Sequence, residues 1–488
     1  MADSSPNSGL SVRVRMAPSP TGPWHIGSAR TALFNWLFAR QNGGTFVLRI
    51  EDTDKERSEK KYEEEIFAGF KWLMMDFDEG PLPLTGSQGQ YGPYRQSERT
   101  EIYKKYLEEL LQKGHAYYCY CTKEELGAQR DAMTSQGLSP KYNGRCRNLK
   151  EPPAGKSPQA IRFKVAETKV EFNDMVRGKI VFDASLFGDI VIAKDLEIAL
   201  YNFAVVVDDE LMMITHVIRG EDHISNTPKQ ILMQRALGFR EPIYAHIPLI
   251  LNPDRSKMSK RFSDTAVLQY RDKGYLPDAL INFLALLGWH PKDDREVLTT
   301  KDLIKEFSLA RVQSAGAVFN EEKLNWLNRE HMKLMSDKDL VRLLMPKLGA
   351  EHLAADESFL EKLVAVERGR ANTLDELLDH AKFFFALPDY EPALLVWKEG
   401  TPAGTKAVLE TTCAGLEKLS PQGFSEQGTL ADTVASIIGE QNRGAVLWPL
   451  RVALSGQKAS PDPKEIMGVL GKEESLRRIA AAIKKLGV

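Results

Sequence analysis

The sequence predicts an α/β fold for the first part of the chain and an all-helical fold for its last third. Between Val12 and Gln41, apolar residues alternate as in a strand, a turn rich in Pro and Gly follows, and apolar residues then return at helical spacing. Past Met332 the pattern is helical almost throughout, and no strand-rich segment interrupts it. We therefore expect a sheet-based domain followed by a helical one.

The first predicted strand, turn and helix together indicate an anion site. Val12–Met16 alternates like a half-buried strand, and we expect the helix to begin near Ser28 with Arg30 off its apolar face. Backbone N–H groups and the positive end of the helix dipole would point into the crevice at that helix start, which favours phosphate. Gly27 allows close approach of a ligand, and His25 can donate a hydrogen bond to a phosphate oxygen. On His25 alone, a proline-rich turn with a surface histidine is the simpler interpretation.

Two motifs in this order carry a family resemblance. PSPTG followed by WHIGSART resembles the nucleotide-binding signature of class I aminoacyl-tRNA synthetases, in the form of the glutamyl and glutaminyl members. SKMSKR, at 256–261, resembles the second signature of that class, a basic loop that closes over the ATP triphosphate; by itself it would read as a solvated basic turn. The resemblance implies catalytic roles for His25, Lys257 and Lys260. The ATP contacts that it implies are Pro18, Ser19, Thr21, His25, Gly27, Ser28, Lys257, Met258, Ser259 and Lys260.

Composition bounds the class of protein. The 488 residues are 43% hydrophobic and 27% charged, which is typical of a globular chain long enough for several domains. The formal charge of −2 requires any nucleic-acid contact to use local basic patches. We expect a loose tail over 1–11, no signal peptide, no membrane span and a cytoplasmic location. We expect the four cysteines to form no disulfides.

Further residues match the glutamyl branch. In FVLRIEDTD, at 46–54, Glu51 ends a strand and is a candidate for holding the substrate ammonium. Arg15 and Arg219 are fork-shaped donors that suit the two carboxylates of glutamate, and which arginine takes which carboxylate stays open. Core packing or a surface ion pair is the alternative for each residue. The resemblance adds Ser19, Tyr201 and His223 to the glutamate pocket.

A cluster of cysteines suggests a metal. Cys119, Cys121 and Cys146 supply three thiolates with spacing suited to tetrahedral zinc, and three buried free thiols are the alternative. Zinc-bearing relatives complete the site with a histidine two residues past the last cysteine or a tyrosine four before it. Asn148 stands at the first position and Tyr142 at the second, so the resemblance makes Tyr142 the fourth ligand.

The resemblance implies a domain order along the chain. We expect a Rossmann-like catalytic domain over 12–110 and 200–253, an inserted α+β domain for the tRNA acceptor end over 111–199, and a helical stem-contact region over 254–331. An all-α anticodon-binding domain follows over 332–488, with Arg368 and Arg370 at the anticodon-reading positions. We expect the last helix to bury Leu476 and Ala480 and to turn Arg478 outward.

The resemblance is to bacterial-type glutamyl-tRNA synthetases. It implies ligation of L-glutamate to tRNA(Glu) through glutamyl-adenylate, with ATP, Mg²⁺ and one structural Zn²⁺, by a monomer. Arginine at the anticodon-reading positions favours an enzyme strict for tRNA(Glu). The alternatives are a relaxed enzyme that also charges tRNA(Gln), a glutaminyl enzyme with a β-barrel end, a tRNA-modifying relative without the anticodon half, and a catalytically inactive RNA-binding paralogue.

Overall fold

The computed structural model describes residues 11–54, 56–166, 168–258, 265–439 and 442–487. It divides the chain into two compact units, the first made of Met1–Asp272 with Leu280–Glu321 and the second of Lys273–Ala279 with Glu322–Val488. The predicted tail up to residue 10, and the predicted site residues Ser259 and Lys260, lie outside the described residues.

The strands all belong to the first unit. They are β1 (Arg13–Met16), β2 (Thr45–Leu48), β3 (Gly80–Pro81), β4 (Ser87–Gln88), β5 (Ala116–Cys119), β6 (Ala160–Phe163), β7 (Lys169–Asp174), β8 (Gly178–Asp183), β9 (Ile190–Ala193), β10 (His216–Gly220), β11 (Ile243–Ile247), β12 (Ile250–Leu251) and β13 (Ala317–Val318).

The helices extend over both units. They are α1 (Ile26–Gln41), α2 (Lys60–Trp72), α3 (Thr100–Gln112), α4 (Lys123–Ser135), α5 (Tyr201–Leu211), α6 (Thr227–Leu237), α7 (Val267–Asp272), α8 (Pro277–Leu286), α9 (Thr300–Glu306), α10 (Glu321–Leu334), α11 (Asp337–Ala350), α12 (Glu357–Glu367), α13 (Leu374–Phe385), α14 (Pro402–Glu417), α15 (Pro421–Ser425), α16 (Gln427–Ile438), α17 (Arg443–Ser455) and α18 (Pro463–Lys485). Among the described residues, none of these helices has the length and apolar character needed to cross a bilayer.

Parallel strands form the centre of the first unit. β1 pairs with β2 and β10 pairs with β11, both in parallel. The backbone N–H of Thr215 donates to the carbonyl of Arg13 at 2.9 Å and so links the two pairs. α1 covers this sheet, and Asn35 in that helix donates to the carbonyl of Ile218 at 3.0 Å. The predicted strand, turn and helix are thereby confirmed, with the helix beginning at Ile26 because His25 caps it.

Arg30 corrects one expectation. We expected its side chain off the apolar face of α1, but Arg30 is buried and donates to the carbonyl oxygens of Leu287, at 2.9 Å, and Pro248. Burial lowers the pKa of Arg30 to about 10, and the nearby carboxylate of Glu221 partly opposes that effect. Helical periodicity missed this position because backbone carbonyls can solvate a buried guanidinium.

The segment between α3 and α5 folds as two small antiparallel pieces. β5, β6 and β9 form one sheet, and β7 and β8 form a hairpin. The hairpin joins the central sheet, since β7 lies parallel to β11 with Asp174 opposite Tyr244. Both strands of the hairpin are therefore part of the four-stranded sheet that carries β10.

All of the regular secondary structure in the described residues of the second unit is helical, as predicted. Its core includes Leu363, Leu377, Leu409, Leu450 and Ile479. On α18, however, two expectations are wrong, because Ala480 is exposed and Arg478 is buried. Arg478 donates to the carbonyls of Phe383 at 2.8 Å and Leu454 at 2.7 Å. Its guanidinium therefore caps the C-terminal turns of α13 and α17.

Candidate active site

A cavity of about 650 Å³ opens at the carboxyl ends of β1 and β10, beside the start of α1. Strand ends of this kind are the usual ligand site of parallel α/β sheets. The lining includes these predicted residues: Arg15, Pro18, Ser19, His25, Gly27, Ser28, Glu51, Tyr201, Arg219, His223, Lys257 and Met258. Thr21 is exposed and is not among the lining residues. The structure thus brings most of the predicted site together from segments more than 200 residues apart.

The helix start forms one wall of the cavity. His25 is the N-cap of α1, and its Nδ1 accepts the backbone N–H of Gly27 at 2.9 Å. A Cβ at position 27 would lie 3.1 Å from that Nδ1, so glycine leaves room for the capping ring. The first turn contains no acidic side chain, so the positive end of the helix dipole is not neutralised there. This wall suits an anion.

Arg15 and Glu51 belong to a buried ion network. Arg15 contacts Asp209 through Nε at 3.1 Å and Nη2 at 3.4 Å. Arg49, whose side chain is fully buried, donates to the same Asp209 at 2.8 Å and to Glu51 at 3.2 Å. Burial raises the pKa of Glu51, although Arg49 and Arg15 oppose the rise. Asp209 therefore fixes Arg15, and Arg49 fixes Glu51, at the cavity edge.

Arg219 enters the cavity from β10. Its Nη2 donates to Thr227 Oγ1 at 2.7 Å and to Gln230 Oε1 at 2.9 Å, and its Nε donates to His246 Nε2 at 3.2 Å. Its Nη1 is buried and has no hydrogen-bond partner among the residues that the structure describes. A buried cationic N–H without an acceptor is costly, so this nitrogen is a donor suited to an anionic ligand.

Tyr201 and His223 form a pair on the cavity wall. The Tyr201 hydroxyl lies 2.8 Å from His223 Nδ1. Burial, and after it the charge of Arg219, lower the pKa of His223 to about 4, while burial raises the pKa of Tyr201. Both side chains are therefore neutral near pH 7 and can orient polar groups of a ligand without adding charge.

Lys257 stands at the mouth of the cavity. Its side chain is 65% exposed, and its nearest described carboxylate is Asp222 at 3.5 Å. An exposed lysine held this weakly keeps the freedom to follow a phosphate.

The three predicted zinc thiols lie together. The Sγ atoms of Cys119, Cys121 and Cys146 lie within 4.8 Å of one another, with 3.6 Å between those of Cys121 and Cys146. The Tyr142 hydroxyl is 3.7 Å from the first thiol and 3.5 Å from the second. Zinc–sulfur bonds of about 2.3 Å in a tetrahedron separate sulfur atoms by about 3.8 Å. The donor set therefore fits a Zn²⁺ ion.

The predicted anticodon residues follow α12 in the second unit. Arg368 donates to the carbonyl of Met335 at 3.1 Å and pairs with Asp337 at 3.0 Å. Arg370 is 39% exposed and pairs at 3.2 Å with Glu367, whose side chain is fully buried. Arg368 is therefore held by a backbone carbonyl and a carboxylate of this unit, whereas the guanidinium of Arg370 is held by Glu367 and remains accessible.

Sequence reasoning missed several lining residues. Arg30, Thr31, Asp222 and Asn226 also line the cavity, and Asp209 supports Arg15 from behind. The sequence does contain one indication of Asp209: two adjacent acidic residues, at 208 and 209, follow an uninterrupted apolar run in α5. Two adjacent acids on a buried helix face require cationic partners.

Comparisons with known proteins define the class. A family model described as "tRNA synthetases class I (E and Q), catalytic domain" matches residues 11–326, and one described as "Anticodon binding domain" matches residues 339–483. The fold and the cavity are thus those of a class I tRNA synthetase of the glutamyl and glutaminyl group.

Full-length relatives narrow the assignment. Glutamate–tRNA ligase from Desulforamulus reducens is 45% identical over 97% of this chain and 100% of its own length, and the enzyme from Carboxydothermus hydrogenoformans is 43% identical over 96% and 99%. A crystal structure of a glutamate tRNA ligase from Elizabethkingia meningosepticum, in complex with its amino acid, matches with 33% identity and a TM-score of 0.87, covering 98% of this chain and all of its own. The chain belongs to the glutamate–tRNA ligase family.

Proposed function

We propose that the chain ligates L-glutamate to tRNA(Glu) in the cavity at the start of α1. In the first step a carboxylate oxygen of glutamate attacks the α-phosphorus of ATP, giving glutamyl-adenylate and pyrophosphate. In the second step a hydroxyl of the terminal ribose of the tRNA attacks the acyl carbon and releases AMP. The Mg²⁺ ion arrives with the nucleotide as part of the substrate.

One observation carries this proposal: within the described part of the chain, the buried Nη1 of Arg219 has no acceptor in a cavity that also holds the start of α1. Arg15 and Arg219 supply cations for the two carboxylates, and Glu51 supplies an anion for the ammonium. Ser19, Tyr201 and His223 would orient the amino acid. An amino acid with an acidic side chain matches this set of charges, and the glutamate–tRNA ligase family of the chain makes that amino acid glutamate.

The phosphates would lie at the other end of the cavity. His25, Gly27 and Ser28 lie at the start of α1, and Pro18, Lys257 and Met258 line the same cavity. On the basis of the two sequence motifs, we assign Lys260 to the catalytic residues, and Ser259 and Thr21 to the residues that contact ATP. Because no side chain needs to act as a nucleophile, the catalysis rests on positioning and on stabilising phosphate charge.

We also infer two supporting features. Cys119, Cys121, Tyr142 and Cys146 would hold one structural Zn²⁺, and Arg368 and Arg370 would contact the tRNA anticodon. We propose that the enzyme is strict for tRNA(Glu) and acts as a monomer, as its family resemblance implies, and that it is located in the cytoplasm.

Charging assays test the function. Purified tRNA(Glu) and tRNA(Gln) are each incubated with the enzyme, labelled glutamate, ATP and Mg²⁺, beside a reaction without tRNA. We expect label on tRNA(Glu) alone. Label on both tRNAs would overturn the proposed strictness and leave the ligase activity standing, whereas label on neither would favour an inactive RNA-binding paralogue.

A further inference from the structure

Two buried residues lie directly behind Arg219 and outside the cavity lining. β10 and β11 run in parallel with Arg219 opposite His246, so their side chains emerge side by side. His246 Nδ1 is in turn 2.6 Å from Asp174 Oδ2, and both of these side chains are fully buried. The three residues form a chain of contacts from the β7–β8 hairpin to the cavity.

Asp174 determines which histidine nitrogen carries the proton. An ionised carboxylate can only accept, so the hydrogen of the imidazole lies on Nδ1. Nε2 is then left with a lone pair, and it accepts the Nε–H of Arg219 at 3.2 Å. Burial lowers the pKa of His246, which keeps the ring neutral beside the guanidinium even though Asp174 opposes that shift.

Asp174 is itself held firmly. Its Oδ1 accepts the backbone N–H groups of Val176 and Arg177, each at 2.9 Å, and its Oδ2 accepts that of His246 at 3.0 Å. Burial would raise the pKa of Asp174, but the bonds from His246 and from these amides hold it below its usual range. The neighbouring Arg177 adds an ion pair from the same turn to Glu221.

We propose that His246 and Asp174 are positioning residues for the amino acid substrate, because they fix the Arg219 guanidinium so that Nη1 remains available to a substrate carboxylate. The proposal rests on the proposed function, in which Arg219 binds glutamate. Thr227 completes the support, since its Oγ1 lies 2.7 Å from Arg219 Nη2 and 3.0 Å from His246 Nε2. In this arrangement the hairpin of the inserted segment sets the geometry of the glutamate pocket.

The Asp174→Asn variant tests which atoms donate and which accept in the hydrogen bonds from Asp174 through His246 to Arg219. The carboxamide oxygen would keep the backbone N–H bonds of Val176 and Arg177 and the 3.2 Å bond from the His246 N–H. Its NH₂ group would then replace Oδ2 and face His246 Nδ1. The histidine must then carry its hydrogen on Nε2, where it meets the N–H of Arg219. We expect the dissociation constant for glutamate, measured by calorimetry without tRNA, to rise by about 10- to 100-fold, while the KM for ATP in charging stays unchanged.

Two substitutions at His246 provide a matched pair. A glutamine side chain can place its oxygen near the Nε2 position and still accept from Arg219, whereas an asparagine reaches only the Nδ1 position. We expect His246→Gln to keep most of the glutamate affinity and His246→Asn to lose it. If Asp174→Asn does not fold, this pair decides the proposal by itself.

Asp189→Asn is the control for a general loss of packing. Asp189 is also buried in the inserted segment, where it accepts the Val165 N–H at 2.9 Å and the Tyr117 hydroxyl at 2.7 Å, and it lies outside the cavity lining. We expect wild-type glutamate affinity for this variant. An equal loss of affinity in Asp189→Asn and Asp174→Asn would overturn the proposal.

The remaining outcomes separate this inference from the proposed function. If the wild-type protein binds no glutamate, or if Arg219→Ala binds it normally, the assignment of the pocket fails. If Arg219→Ala loses affinity while Asp174→Asn and His246→Asn bind as the wild type does, the positioning proposal alone is overturned.

Discussion

Arg49 shows how a single side chain can hold the cavity in shape. Its guanidinium lies 2.8 Å from Asp209, 3.2 Å from Glu51 and 3.7 Å from Asp208, with no exposed surface. Burial would lower its pKa, but the three carboxylates outweigh burial and raise it. Removal of one partner from a buried ion network typically costs about 3–5 kcal/mol. We therefore expect Arg49→Met to destabilise the first unit, seen as faster hydrogen–deuterium exchange in β1, β2 and β10.

Arg57→Met is the control for this prediction. Arg57 pairs with Asp54 on the surface, where its side chain is 74% exposed, so the pair contributes little to folding. Exchange in the same strands should match the wild type. Wild-type exchange in Arg49→Met as well would show that the network does not depend on its central cation.

Substitution of Lys257 tests whether this lysine acts in the chemical step or in the binding of glutamate. Its contact with Asp222 is long and exposed, so its removal should leave the fold and glutamate binding unchanged. If its charge follows the phosphates into the transition state, Lys257→Ala lowers kcat by about 100-fold or more. We expect the same of Lys260→Ala, and no effect of Lys292→Ala on the exposed surface. Equal losses in kcat and in glutamate affinity would contradict a role in the transition state.

At the scale of an element, we predict that a zinc ion stabilises the segment from β5 to Cys146. The Tyr142 hydroxyl accepts a hydrogen bond from the Cys146 N–H at 2.9 Å, and the Arg162 guanidinium stacks 3.9 Å from the centre of the tyrosine ring. A metal bound to the thiols would therefore connect the loop that holds Tyr142 and Cys146 to β5 and β6. We expect the purified protein to contain one Zn²⁺ per chain and Cys121→Ser to lose it, with faster exchange in β5 and β6. Cys413→Ser, in α14, should retain the metal. A wild-type protein free of zinc would contradict this.

Local patterns predicted the elements well and their buried charges poorly. The alternation in Val12–Met16 and the turn after it were enough to place β1 and α1. Arg30 and Arg478 were placed on the wrong face because periodicity counts polarity, whereas both guanidinium groups satisfy backbone carbonyls inside the core. Asp174 and His246 are 72 positions apart, and their contact depends on the parallel pairing of β7 with β11, which no local pattern reveals.

At the scale of the whole molecule, we expect the two units to have different tasks. The cavity and all of its described lining residues belong to the first unit, and Arg368 and Arg370 belong to the second. A substitution in the second unit should therefore change recognition of tRNA without changing the affinity for glutamate or ATP. Kinetic constants for the three substrates, measured separately, reveal whether the tasks divide in this way.

Arg370 is the residue best placed to test that division. Glu367 anchors it from inside the helical core, and burial raises the pKa of Glu367 while Arg370 and His380 oppose that rise, so the guanidinium is oriented yet accessible. Arg370→Gln removes the charge and shortens the side chain. We expect a higher KM for tRNA(Glu) and measurable glutamate charging of tRNA(Gln), with unchanged glutamate binding. Arg342→Gln removes an arginine that is 77% exposed on α11 and should behave as the wild type does. If Arg370→Gln charges both tRNAs as the wild type does, the anticodon must be recognised elsewhere on the helical unit.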